Sequence, residues 1–195
     1  MKRSQLSFPA VPTDLPAKTR TILTSLEQGL TNNWSRALVS VEEEHDLDLF
    51  FLFVDHLLYF TACKRILLLV SAASKSELVQ TWKKRSSSVD GQLLAERYRT
   101  AYTSTLLSAQ EYRVCISTPR EIQIHLRQDA SFSSMFDVVL FYNVPSPLSP
   151  VWQTIIEGLS AYLIGFCRRP TAETVAFFHG NVVSAGDTTS WLDTD

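Results

Sequence analysis

Residues 36 to 53 read "RALVSVEEEHDLDLFFLF", and the fold turns on how this stretch is parsed. Arg36 to Val41 has the apolar, partly β-branched character of a strand, and Leu47 to Phe60 reads as an unusually aromatic helix. A strand, a short loop and a helix make the unit in which nucleotide-binding proteins place a phosphate loop, which is rich in glycine and ends in Lys-Ser/Thr. Here the connection is Glu42-Glu43-Glu44-His45-Asp46-Leu47-Asp48, with five carboxylates and no lysine.

Similar units follow along the chain. Ile66 to Val70, within "KRILLLVSA", is a continuous apolar run of the kind that suits a strand covered on both faces. Further strands are expected at Arg113 to Ser117, Asp137 to Phe141 and Tyr162 to Phe166. Helices are expected from Asp14 to about Gly29 and over Ser74 to Lys84, Gln92 to Thr100, Arg120 to Arg127 and Trp152 to Leu159. Ser86 to Ser88 reads as a loop. Strands alternating with helices predict a three-layer α/β sandwich with a mainly parallel central sheet. Residues 1 to 13, with Pro9 and Pro12, read as an N-terminal arm, residues 14 to 184 as a single domain, and residues 185 to 195 as a polar tail in which Trp191 is the one anchor.

Composition narrows the classes of function. The chain has 195 residues, enough for one sizeable core, with 45% hydrophobic and 19% charged residues. A net charge of −2 gives no overall attraction to nucleic acid or anionic membrane, so any contact with DNA must be local. Cys63, Cys115 and Cys167 form no CxxC pair and lie in or beside apolar segments, which reads as buried thiols in a reducing compartment. No stretch has signal-peptide form, and Leu49 to Cys63 is too short and too interrupted by Asp55 and His56 to span a bilayer. A cytoplasmic location without membrane attachment is expected. His45, His56, His125 and His179 show no HxxxH spacing, the acidic loop lacks the glycine turn of a calcium loop, and no nucleophile elbow is present. No metal, no cofactor and no catalytic residue is therefore assigned.

The order and spacing of these segments resemble the first RecA-like domain of superfamily 2 helicases, in particular the motor subunit of type I restriction enzymes. The resemblance covers about residues 14 to 184 and rests on "RALVSV", "CKRILLLVSAASKSELVQTW", "VCISTPREIQIHL", "FDVVL", "WQTIIEGLSAYLIGF" and "RPTAETVAFFHGNVV". It implies a RecA-like fold whose nucleotide chemistry is gone. Where members of that family carry A-T-G-x-G-K-T, Glu44 and Asp46 replace glycines, Leu47 replaces the phosphate-binding lysine and Asp48 the magnesium-binding threonine. Where members carry an Asp-Glu-x-His box, this chain has Tyr142 and Asn143 followed by Val144 and Pro145. Where members read T-A-T-P, it has Cys167, Arg168, Arg169 and Pro170. The adenine-reading glutamine falls near Thr19. Two like charges roughly 4 Å apart repel by about 1 kcal/mol in water and about 4 kcal/mol at an effective dielectric of 20, so an acidic loop opposes a triphosphate. ATP binding and hydrolysis are not expected.

The same resemblance implies that DNA contacts, where they persist, come from the loops after the second and third strands. These supply Ser71, Ser74, Ser117, Thr118 and Arg120, with Lys83, Lys84, Arg85, Arg97 and Arg99 as a basic strip. Phe50, Phe51 and Phe53 leave no polar face at the start of the aromatic helix, which is therefore either wholly buried or a partner-binding surface. The expected function is non-catalytic: a protein-interaction or scaffold module with a protein partner or a second copy of itself, or alternatively a DNA-binding accessory domain, in a restriction, defence or mobile-element setting.

Overall fold

The runs Ile66–Leu69, Val114–Ser117 and Val138–Phe141 are buried at every position, a pattern that only a strand covered on both faces can satisfy. The structure is a computed structural model that describes residues 13, 15–41, 46–60, 63–87, 100–101, 112–145 and 148–184. The chain order is α1 (Ala17–Thr31), β1 (Arg36–Ser40), α2 (Asp46–Phe60), β2 (Ile66–Leu69), α3 (Ala72–Ser87), β3 (Thr100–Ala101) and β4 (Val114–Ser117). It continues with α4 (Pro119–Gln128), a 3₁₀ turn (Ala130–Ser134), β5 (Val138–Phe141), α5 (Pro150–Gly158), β6 (Tyr162–Cys167), α6 (Ala172–Phe177) and β7 (Val182–Val183).

The strands form one seven-stranded sheet in the order β3-β4-β2-β5-β6-β1-β7, and every neighbouring pair is parallel. Register places Ile66 opposite both Val114 and Val138, Val138 opposite Tyr162, and Arg36 opposite Leu163. Side chains alternate between two cores. Ile66, Leu68, Val138 and Leu140 meet α1, α2 and α3, whereas Leu67, Leu69, Val139 and Phe141 meet the layer containing α4 and α5. The fold is thus a three-layer α/β sandwich of the RecA-like kind.

The helix layers follow from the strand order. From β1 to β2 and on to the edge strand β3 the chain moves in one direction across the sheet, with α2 and α3 on the first face. From β3 through β4, β5 and β6 to β7 it moves back, with α4, α5 and α6 associated with the second face. A reversal of direction with a change of face is what right-handed crossovers produce.

The aromatic helix α2 resolves the alternative left open by its sequence. Phe50, Phe51 and Phe53 are 0%, 1% and 2% exposed, so the candidate partner-binding residues are part of the chain's own core. Phe50 packs on Phe166 and Tyr142 with ring centroids 5.1 Å and 5.2 Å away, and Phe51 packs on Trp82 at 5.6 Å. Such a helix is apolar nearly all round because it is sandwiched between the sheet and both α1 and α3 in one cluster.

Several boundaries differ from expectation. Ser86 and Ser87 close the last turn of α3 instead of forming a loop, and Thr100 opens a strand instead of ending a helix. Nothing in the local sequence pattern announces β3, α6, β7 or the 3₁₀ turn, all of them short. The expected helix over residues 92 to 99, the arm over residues 1 to 12 and the tail with Trp191 lie outside the described residues.

Buried His56 on α2 faces Glu27 on α1, with Nε2 3.6 Å from Oε1. Proximity does not make the pair ionic: burial lowers the pKa of His56 and raises that of Glu27, so both favour their neutral forms. Packing and protonation can each be tested on this helix. Truncating Phe50→Ala empties the contact among α2, β5 and β6 and should cost about 3 to 5 kcal/mol in urea denaturation. Because His56 is depressed below its ordinary value of 6.5 in the folded protein, it contributes stability above that pH that is lost as pH falls through the folded value. A His56→Leu variant should show a flatter urea midpoint than the parent between about pH 7 and about pH 5.

Candidate functional site

In open α/β sheets, ligands bind outside the carboxyl ends of strands where neighbouring loops leave for opposite faces. β1 and β6 are such a pair, since the chain leaves β1 for α2 on one face and β6 for α6 on the other. With β5 beside β6, this brings the ends of "RALVSV", "FDVVL" and "LIGFC" together. Val41 N–H donates to Cys167 O at 3.1 Å, and Val144 N–H donates to Phe166 O at 2.9 Å, so backbone pairing continues past the strands.

What lines this end of the sheet is not suited to phosphate. Tyr142 is 7% exposed and belongs to the first core through its contact with Phe50, while Asn143 takes a left-handed conformation at φ 52° that asparagine tolerates better than most residues. Leu47 packs against the same core, and Asp48 is exposed near the start of α2. Glu44 lies outside the described residues, and for Asp46 only the backbone is described, as the first residue of α2.

Past β6, Arg168 and Arg169 are exposed, and Thr171 caps α6 by accepting the N–H of Thr174 at 3.3 Å. Gly165 permits the close packing around β6: a Cβ there would stand 2.7 Å from Phe178 Cζ and 2.8 Å from Val144 Cγ2. The nearby Cys167 thiol is buried, and burial raises its pKa. The thiols of Cys63 and Cys115 are pushed up to about 12 by burial, which leaves them poor nucleophiles.

A second crevice opens between β2 and β4, whose loops lead to α3 and α4 on opposite faces. It holds most of the candidate DNA-binding loop residues, and they are occupied with one another. Glu121 is the hub: it accepts hydrogen bonds from Lys75 Nζ at 2.7 and 2.8 Å, Ser117 Oγ at 2.9 Å, Thr118 N–H at 2.8 Å and Thr118 Oγ1 at 3.1 Å. Thr118 and Glu121 form a capping box with Pro119 in the first turn of α4. Ser71 Oγ bonds Ser74 Oγ at 3.0 Å and accepts Ser74 N–H. Ser117 is 1% and Thr118 8% exposed, so neither hydroxyl is displayed to solvent, whereas Arg120 is exposed.

Lys83, Lys84 and Arg85 do not join these loops. They sit at the other end of α3, about 15 Å from Ser74 at 1.5 Å per residue. Arg85 is held by an ion pair with Asp55 and lies 5.8 Å over the Phe51 ring. Loops and basic strip therefore do not make one surface, which corrects the sequence-based grouping. Arg97 and Arg99 lie outside the described residues. Lys75 and Glu121, the centre of the crevice, escape a reading of the sequence, although T-P-R-E ahead of a helical run is a legible capping signal.

Among the described residues there is no group of three or more His, Cys, Asp or Glu positioned to hold a metal, and no helix is long and apolar enough to cross a membrane. No protein-family model matches this chain, and no curated protein matches it either.

For Glu121, burial works against the charged form, but the hydrogen bonds from Lys75, Thr118 and Ser117 and the charge of Lys75 prevail and lower its pKa below the ordinary 4.5. Its contribution to stability is present above that value and is lost as pH falls through the folded pKa. Glu121→Gln should therefore lose part of the acid limb of the stability profile measured by urea denaturation between about pH 6 and about pH 3.

Proposed function

We propose that this chain is a non-catalytic relative of a helicase motor domain, a RecA-like framework that serves as a protein-interaction or scaffold module. The observation that carries the reading is the burial of Tyr142 between the sheet and Phe50. At the place where the resemblance calls for a metal-binding carboxylate, the chain has a phenol built into its core, and exchange for an acid would disturb packing as well as charge. The neighbouring Leu47, packed on the same core in place of a phosphate-binding lysine, supports the same reading. A phosphate loop depends on small residues that let backbone N–H groups converge and on a cation that neutralises the anion. The sequence from Glu42 to Asp48 supplies neither.

The aromatic helix is consumed by the chain's own core, so a partner of this module meets other surfaces. The context of restriction, defence or mobile elements rests on the resemblance alone.

Thermal denaturation with Mg-ATP should leave the midpoint where it is without nucleotide. Since a ligand present at 100 times its Kd stabilises by about 2.7 kcal/mol, specific binding would give an upward shift of several degrees and would overturn the reading. Light scattering of the purified chain distinguishes the two kinds of scaffold: a mass of two chains or more indicates self-association, and a monomer leaves a different protein as the partner.

A further inference from the structure

The amino ends of the strands, opposite the crevices just described, gather a second set of charges. Lys64 and Arg65 immediately precede β2, Arg113 immediately precedes β4, and these strands are neighbours with Ile66 opposite Val114. Helix α3 delivers further cations to the same rim. Trp82 Nε1 donates to Thr100 Oγ1 at 2.7 Å, and Thr100 is paired with Val114, so the last turn of α3 is fixed at the amino end of β3 and β4. Lys83 follows Trp82 directly, and Lys84 and Arg85 belong to that turn. Lys64, Lys83 and Lys84 are exposed, while Arg65 and Arg113 are half-buried.

Among the described residues, two acidic groups lie at this rim, and both have partners. Asp137 Oδ2 accepts the backbone N–H groups of Lys64 at 2.7 Å and Arg65 at 3.0 Å, and Asp55 holds Arg85. Basic residues in a last helical turn also favour the helix dipole, which accounts for Lys84 and Arg85. It does not account for Lys64 and Arg65, which belong to no helix, while the Arg113 guanidinium donates from Nη2 to the Cys63 carbonyl oxygen and so also ties β4 to the segment before β2.

We infer that this rim binds the phosphodiester backbone of a nucleic acid. The cations come from separate segments and gather at the amino end of the sheet, a layout suited to a row of phosphates. A protein interface is built around an apolar centre, and here the exposed large hydrophobic residues among those described, Ile124 and Val151, belong to α4 and α5 in the other helix layer. Local ion pairs of exposed lysines are worth roughly 0 to 1 kcal/mol, so exchange of such contacts for phosphate is cheap. The surface lies at the opposite end of the sheet from the nucleotide crevice and stands whether or not that crevice is inactive.

The test is fluorescence anisotropy of the full chain with labelled single-stranded and duplex DNA, at about 50 and about 200 mM salt. Neutralising about four phosphates predicts a loss of roughly 50-fold for single strands and roughly 150-fold for duplex over that interval. Lys64→Glu combined with Lys83→Glu and Lys84→Glu should abolish binding, the matching arginine triple variant should keep it, and Arg120→Glu at the far end of the sheet should be neutral. Urea denaturation of each variant shows that it is folded. No anisotropy change at the lower salt overturns the inference, as does a folded Glu triple variant that binds like the parent. So does loss of binding in Arg120→Glu alone, and so does polyglutamate competing as well as unlabelled DNA, which would make the rim a site for acidic protein.

Discussion

Burial of the central strands on both faces is the constraint from which the rest of this structure follows. A parallel strand with no solvent-facing side must be apolar at consecutive positions, and each face must be covered by its own helix layer. Alternation of polar and apolar residues is absent from β2 for that reason: Ile66, Leu67, Leu68 and Leu69 are all apolar, yet they divide two and two between separate cores. Helices then alternate with strands, and the reversal of direction at the edge strand β3 sends the second group of helices to the second face. Crevices at the carboxyl ends are a by-product of that reversal, present whether or not anything binds in them.

The same constraint explains what was legible in advance. The runs at residues 66 to 70 and 137 to 141 announce themselves because two-sided burial writes an unbroken apolar signal. Thr100 and Val182 are different, since β3 and β7 have two residues each and sit at the sheet edges, where pairing depends on neighbours far away in the chain. No local pattern marks such strands. α6 has six residues and owes its start to the Thr171 cap, a signal too short to stand out from loop sequence.

The candidate site was legible only as a set of replacements. That Tyr142 and Leu47 stand where other chemistry was expected could be read from order and spacing, but their part in the core could not, because it depends on Phe50 arriving from another element. The DNA-contact residues show the converse. Ser71, Ser117 and Thr118 read in sequence as displayed hydroxyls, and Glu121, one helical turn beyond Thr118, turns two of them inward. Sequence distance also misled at Lys83 and Lys84. A helix of sixteen residues carries its two ends to opposite ends of the strands, so residues near in the chain to the loop that α3 follows stand far from it in space.

The position of β1 also governs how the chain is made. Its partners are β6 and β7, so the pairing that sequence order alone suggests, β1 with β2, never forms. During synthesis β1 and the aromatic surface of α2 emerge before the segments that will flank and cover them at Phe166, and they remain without their final neighbours until β6 has left the ribosome. Parallel sheets closed by distant segments assemble slowly and expose sticky intermediates. This chain carries that hazard in its first half.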